Sequence, residues 1–362
     1  MTTENSPDTS SRNDDVVLRR VRARPRNIVE CAARQVPQMQ CRLVDEPAPQ
    51  RLPPVRRYLS GGRLKPPADL PQLATALKDN PTHEQLVAWV RKRRRESRIT
   101  RIRPPSDFPE LIVTVPDAWD TVVLAPLYDV HIGHSQHDAA MFKRHLRWIR
   151  ETPNVLTWNG GDLIENASKL SVGSGVYEQD LKPDNQLVAA LLQLADVAHK
   201  MLFALPGNHE DRTDVMGFSI ASWLSMLLET PYFSDYCFCT IRWRGNKFRL
   251  LAHHGTGAAQ TAGGQRMAAR KDIAWAKPFD LFWTGHLHSP LVDVLYQTDY
   301  DQRTDRIHER NGVVLISPSY LKYHQTYAAK KRFPPGSRGL TAVTLHADGR
   351  IDTNIHANGK RL

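Results

Sequence analysis

From about residue 111 onward, short apolar runs alternate with longer segments of helical period. The runs 121–127, 155–158, 201–205, 238–243, 248–252, 281–283, 292–296, 313–317 and 340–345 have strand length and are rich in Val, Leu, Phe and Trp. Between several of them lie 139–150, 186–200 and 218–228, where apolar residues return every three or four positions, as on one face of a helix. Arg244-Gly245-Asn246 reads as a hairpin turn. Strands that partly alternate with helices and partly follow one another through hairpins predict an α+β fold, a β-sandwich flanked by helices.

The front of the chain is different. Residues 1–58 are dominated by Arg, Pro, Ser and Gln without sustained apolar periodicity, which predicts a disordered basic tail. Over 59–110 the pattern supports a small basic helical segment. One helix is expected over 70–80 and another over 82–98, where Thr82 and Gln85 make a capping box and Leu86, Val87, Trp89 and Val90 form an apolar face. The main domain is expected over 111–350, followed by a short tail, 351–362.

Charge follows the same division. Residues 1–115 hold 22 Lys and Arg against 13 Asp and Glu, a net +9, out of +11 for all 362 residues. The excess is mostly arginine, as in Arg91-Lys92-Arg93-Arg94-Arg95, and guanidinium geometry suits phosphate. The basic front is therefore a candidate nucleic-acid contact, although a solvated basic tail would look the same. The four cysteines are too few and too irregularly spaced for a disulfide framework, no run is long enough for a membrane span, and no signal-peptide pattern opens the chain. A cytoplasmic location is the expectation.

Five polar clusters follow the ends of apolar runs: Asp129-Val130-His131, Gly161-Asp162, Gly207-Asn208-His209-Glu210, His253-His254-Gly255 and Gly285-His286-Leu287-His288. Alternate residues of an extended segment face the same way, so Asp129 and His131 can address one ion. An Asn amide oxygen can ligate a hard cation, while the adjacent His209 is free to act as a general acid with Glu210 to orient it. Taken singly, each cluster could be an ordinary turn or a surface histidine. In this order, they resemble the calcineurin-like metallophosphoesterase superfamily, over roughly residues 121–290 and compatibly to about 345.

That resemblance implies a four-layer metallophosphoesterase sandwich and a dinuclear centre. Asp129, His131, Asp162 and His288 would hold one divalent ion, and Asp162, Asn208, His254 and His286 the other, with Asp162 bridging. His254 is preferred to His253 because Gly255 follows it. Two divalent ions, with manganese first and iron or zinc as alternatives, would activate a bridging hydroxide, with His209 protonating the leaving group. The catalytic residues would be His209 and Glu210. Arg212 would contact a substrate phosphate or pair with Glu210 or Asp211. Tyr320, Tyr323 and Tyr327 would stack on a base or serve as core and rim aromatics.

The second cluster continues Leu163-Ile164-Glu165-Asn166, and Pro206 precedes Gly207, departures from the protein phosphatases of the superfamily that disfavour that activity. The looser similarity is to phage and prokaryotic enzymes near the DNA-exonuclease branch. A phosphodiesterase or nuclease is expected first, then a phosphatase or phosphodiesterase of small substrates, and last a scaffold without chemistry.

Overall fold

In the computed structural model, the description covers residues 83–168, 171, 175–216, 219–271, 279–357 and 360–361, all within the unit spanning 41–362. The expected tail 1–58 and the helix expected over 70–80 lie outside these residues. The helices are α1 (His83–Glu96), α2 (Ala139–Glu151), α3 (Pro183–Ala195), α4 (Ile220–Leu227), α5 (Ala262–Arg270) and α6 (Tyr327–Lys330). The strands are β1 (Thr100–Ile102), β2 (Glu110–Thr114), β3 (Thr121–Leu124), β4 (Val155–Asn159), β5 (Met201–Ala204), β6 (Tyr236–Trp243), β7 (Asn246–His253), β8 (Leu281–Thr284), β9 (Leu291–Asp301), β10 (Arg306–Ile316), β11 (Gly339–His346), β12 (Ile351–Ala357) and β13 (Lys360–Arg361).

They form two mixed sheets, one of seven strands in the order β1-β2-β6-β7-β8-β10-β9 and one of six in the order β13-β12-β11-β3-β4-β5. Strand chemistry explains their burial. Every residue of β4 and β8 is buried, as in parallel strands covered on both faces, whereas β6 alternates and turns Cys237, Cys239, Ile241 and Trp243 inward. These two cysteines are core residues, and burial pushes the Cys239 thiol up to about 12, far from reactive thiolate chemistry.

A single apolar cluster joins the facing sides of the sheets, with Leu124, Leu156, Trp158 and Phe203 from one and Cys239, Leu250, Trp283 and Leu315 from the other. Trp158 meets Trp283 edge-on at 5.1 Å, a geometry worth about 0.5–1.5 kcal/mol beyond area burial. Helices α1 to α4 pack against the outer side of the six-stranded sheet, where Val90, Phe142, Leu194 and Leu224 share a cluster with Val155 and Met201. On the far side, α5 lays Ala269 against Leu251, Phe282 and Val314 of the seven-stranded sheet. No described helix is long and apolar enough to cross a membrane.

Both expected boundaries of the main domain shift outward. The described part of the expected basic segment, residues 83–110, joins the fold: α1 buries Leu86 and Val90, and β1 and β2 extend the seven-stranded sheet. Residues 351–357, expected to trail off, pair with β11 along their length as β12. Two of the four arginines of α1 serve this docking. Arg94 donates to the Leu228 carbonyl at 3.1 Å and to Thr230 Oγ1 at 2.6 Å, and Arg91 pairs with Glu229 at 2.5 Å. Arg101 donates to the carbonyls of His199 and Met201.

Candidate metal centre

Parallel pairing brings the polar clusters together. Strands β3, β4 and β5 run parallel to one another, as do β7 and β8, so the loops leaving each set emerge at one end of its sheet. Asp129 and His131 follow β3, Asp162 follows β4, Asn208 and His209 follow β5, His254 follows β7, and His286 and His288 follow β8. Both sheets contribute, and the side chains meet where the two sets of loops converge.

Three groups form there, of which two hold only predicted ligands, Asp129 with His131 and His288, and Asp162 with His254 and His286; the third is His131 with Glu165 and His209. In the first, His288 Nε2 lies 3.2 Å from Asp129 Oδ1 and 3.3 Å from His131 Nε2. In the second, Asp162 Oδ2 lies 3.3 Å from His254 Nε2, while Asn208 Oδ1 lies 3.2 Å from that nitrogen and 2.9 Å from His286 Nδ1. The same Asp162 oxygen is 3.9 Å from His131 Nε2, so this carboxylate stands between the groups. His254 Nε2 thus lies among these atoms, whereas none of the three groups includes His253.

Hydrogen bonds behind the imidazoles decide which nitrogen faces inward. His254 Nδ1 donates to the Gly160 carbonyl at 3.0 Å, His286 Nε2 to the Gly257 carbonyl at 2.9 Å, and His131 Nδ1 to Glu165 Oε2 at 3.0 Å. With those hydrogens assigned outward, the inward nitrogens carry lone pairs and face the oxygens of Asp162 and Asn208. Acceptors that converge on acceptors require a positive charge among them, supplied by a proton or a cation. Mixed imidazole, carboxylate and amide donors, each held by an outer partner, fit a divalent transition metal.

Electrostatics points the same way. Asp129 is fully buried and Asp162 is 2% exposed. Burial raises the pKa of both, but the surrounding histidines outweigh it: His288 and His254 hold Asp129 below the ordinary carboxylate range, and His209, His254 and His131 hold Asp162 well below it. Burial lowers His254, yet Asp162 and Asp129 overcome this and lift it to about 10. His288 is raised by Asp129 against its burial. Burial dominates at His131, which falls to about 3, and also lowers His286.

The backbone is strained at the same residues. Asp129, His131, Asp162, His286 and His288 all have φ between 50° and 65°, the left-handed region that costs L-residues on the order of 1–2 kcal/mol each. Such conformations cluster where a site has been built at the expense of local stability. Two glycines make the close approach possible. A Cβ on Gly161 (φ +98°) would stand 2.5 Å from His254 Nδ1, and one on Gly207 would stand 2.2 Å from Asp162 Oδ1.

Glu210 is not turned toward His209, as its proposed orienting role would require. Its carboxylate accepts from the backbone N–H groups of Asp162 (2.8 Å), Leu163 (2.8 Å), Ile164 (3.1 Å) and Gly207 (2.8 Å), clamping the two loops that carry Asp162 and Asn208. Burial and the Asp162 charge push it up to about 7 against these bonds. The carboxylate near His209 is Glu165, with Oε2 3.5 Å from its Nδ1, and the Glu165 carbonyl accepts from that nitrogen at 2.7 Å. Sequence reasoning missed Glu165. Its available signal was the acid three residues after Asp162 in a loop already singled out.

Arg212 pairs with Glu165, its Nη1 3.8 Å from Oε1. Nη1 donates to the Glu165 carbonyl at 2.9 Å and Nη2 to His209 Nε2 at 2.9 Å. Burial first, and Arg212 among the neighbouring charges, lower His209 to about 4. Tyr320 is wholly buried against Phe142 and His145, a core aromatic, and Tyr323 donates its hydroxyl to the Phe333 carbonyl. No family model matches the chain, and no curated protein matches it in sequence.

Proposed function

We propose that this chain is a dinuclear metal-dependent phosphoesterase built on a four-layer metallophosphoesterase sandwich, acting on phosphodiesters of nucleic acid. The observation that carries this reading is the position of Asp162, one buried carboxylate whose Oδ2 lies 3.3 Å from His254 Nε2 and 3.9 Å from His131 Nε2, between two acceptor clusters. Asp129, His131 and His288 would hold one ion and Asn208, His254 and His286 the other, with Asp162 shared. When bound, two divalent cations supply positive charge that neutralises phosphate oxygens and acidifies water for in-line attack on phosphorus.

The chain's own residues do the rest. Glu165 fixes the tautomer of His131 from behind, and Glu210 holds the loops of Asp162 and Asn208 in register through four N–H bonds. His209 Nε2 is the proton donor to the departing alkoxide, and Nδ1–H stays anchored on the Glu165 carbonyl. Arg212, which donates to Nε2 without substrate, transfers that N–H bond to a phosphate oxygen, which frees Nε2 to take up a proton from solvent before passing it to the alkoxide.

The test is a substrate panel after chelation and reloading with Mn²⁺: p-nitrophenyl phosphate, bis-p-nitrophenyl phosphate, and labelled single- and double-stranded DNA. Metal-dependent cleavage of the diesters is expected. No turnover of any ester above the chelated control refutes the reading, and cleavage of the monoester alone refutes diester action.

A further inference from the structure

The basic helix α1, the obvious phosphate contact in the sequence, spends Arg91, Arg93, Arg94 and the nearby Arg101 on carbonyls, hydroxyls and carboxylates of the fold. A second basic stretch lies elsewhere. Residues 317–338 contain five cations, Lys322, Lys330, Lys331, Arg332 and Arg338, and no Asp or Glu.

This segment follows β10, which runs parallel to β8, so it leaves the sheet at the end where His286 and His288 sit. Both of its ends are fixed at the metal centre. The Tyr320 N–H donates to the Asp129 carbonyl at 3.0 Å, and the Tyr320 carbonyl accepts from Asp138 N–H at 2.8 Å. Lys322 N–H donates to the Gln136 carbonyl at 2.9 Å. At the other end, Gly336 lies against the His288 carbonyl so closely that a Cβ there would stand 2.3 Å from it. The cations therefore sit on a loop strung between Asp129 and His288.

Lys330 pairs with Glu178, and Arg338 with Asp138. Lys322, Lys331 and Arg332 are exposed. A loop with three exposed cations and no carboxylate of its own, pinned at both ends to candidate ligands of a phosphoesterase centre, suits a substrate carrying phosphates beyond the one cleaved. A small monoester has nothing to offer it; a nucleic-acid strand presents a phosphate at every step. We propose that segment 317–338 is the backbone-binding track that leads a nucleic-acid strand into the metal centre, a role that rests on the phosphoesterase reading above.

The experiment measures binding of fluorescent single- and double-stranded oligonucleotides to the full chain by anisotropy, in chelator so that no cleavage occurs, across a salt series. The test variant is Lys322→Gln/Lys331→Gln/Arg332→Gln. The expected results are at least ~10-fold weaker binding at low salt and a log–log salt slope shallower by about 2, since each lost single-strand phosphate contact removes about 0.7. Lys322→Arg/Lys331→Arg should bind like the wild type, and Arg95→Gln/Arg98→Gln on and after α1 should leave the slope unchanged. Matching melting temperatures for all variants keep a folding defect from passing as lost binding. Absence of oligonucleotide binding by the wild type, or an unchanged affinity and slope in the triple variant, overturns the proposal. Failure to hydrolyse any ester with Mn²⁺ sinks the phosphoesterase reading instead, and is read in a separate assay.

Discussion

Replacing Glu210 with Gln separates a structural carboxylate from a catalytic one. Each carboxylate oxygen accepts two backbone N–H groups, Oε2 from Asp162 and Gly207 and Oε1 from Leu163 and Ile164. The Gln oxygen can retain one pair. The amide nitrogen would then face the other pair, donor against donor, in a position 2% exposed. Leaving two buried N–H groups unsatisfied costs about 1–3 kcal/mol each, so the variant should lose roughly 2–6 kcal/mol. For a folded unit of this size, that is a fall in melting temperature on the order of 5–15 °C. The assay is urea and thermal unfolding at pH 8, above the carboxyl's pKa of about 7, with the wild type alongside. A melting temperature within a degree or two of wild type, together with lost turnover, would refute the clamp and return Glu210 to the chemistry.

Other expectations follow from the same geometry. Gly207→Ala should impair metal retention, because its Cβ would stand 2.2 Å from Asp162 Oδ1; dialysis followed by elemental analysis checks this, and full retention contradicts it. Arg94→Ala should cost about 1–3 kcal/mol in urea unfolding through the loss of its bonds to Leu228 and Thr230, and a negligible change would show that α1 docks without them. Acid should destabilise the fold through His199 and His137, which burial lowers to about 3 and about 4 from 6.5. Between those values and 6.5 the unfolded chain binds more protons than the folded one, so stability is full above about pH 6.5 and falls with pH below it. His199→Gln should flatten that slope in chemical melts at pH 4.5 to 7, and an identical slope would exclude the histidine.

The convergence of the polar clusters was legible because the chain alternates buried strands with loops that start on Asp, Gly-Asp, Gly-Asn-His or Gly-His. Nine apolar runs became strands because parallel central strands such as β4 and β8 must be apolar on both faces. What escaped had weaker local signals. Strand β12 (IDTNIHA) is mostly polar and is held by backbone pairing to β11, and α5 carries two glycines that lower helix propensity, with Thr261 capping its N-terminus. Glu165 and Glu210 could not be told apart in sequence. Both are acids beside cluster residues, and only their three-dimensional partners show that one faces imidazoles while the other faces backbone N–H groups. The Arg-rich run of α1 left its role open in sequence because phosphate and backbone carbonyls attract the same guanidinium fork. Left-handed φ at Asp129, His131, Asp162, His286 and His288 falls on Asp and His, types that enter this region more readily than most but do not call for it as glycine would.

The central claim is that Asp162 joins two cation sites. The most direct measurement is metal content per chain by elemental analysis after Mn²⁺ loading and gel filtration, for the wild type and Asp162→Asn. Two ions per wild-type chain, falling to one or fewer in the variant while the fold is retained, is the predicted result. One ion or none in the wild type, or two in both, would contradict the account.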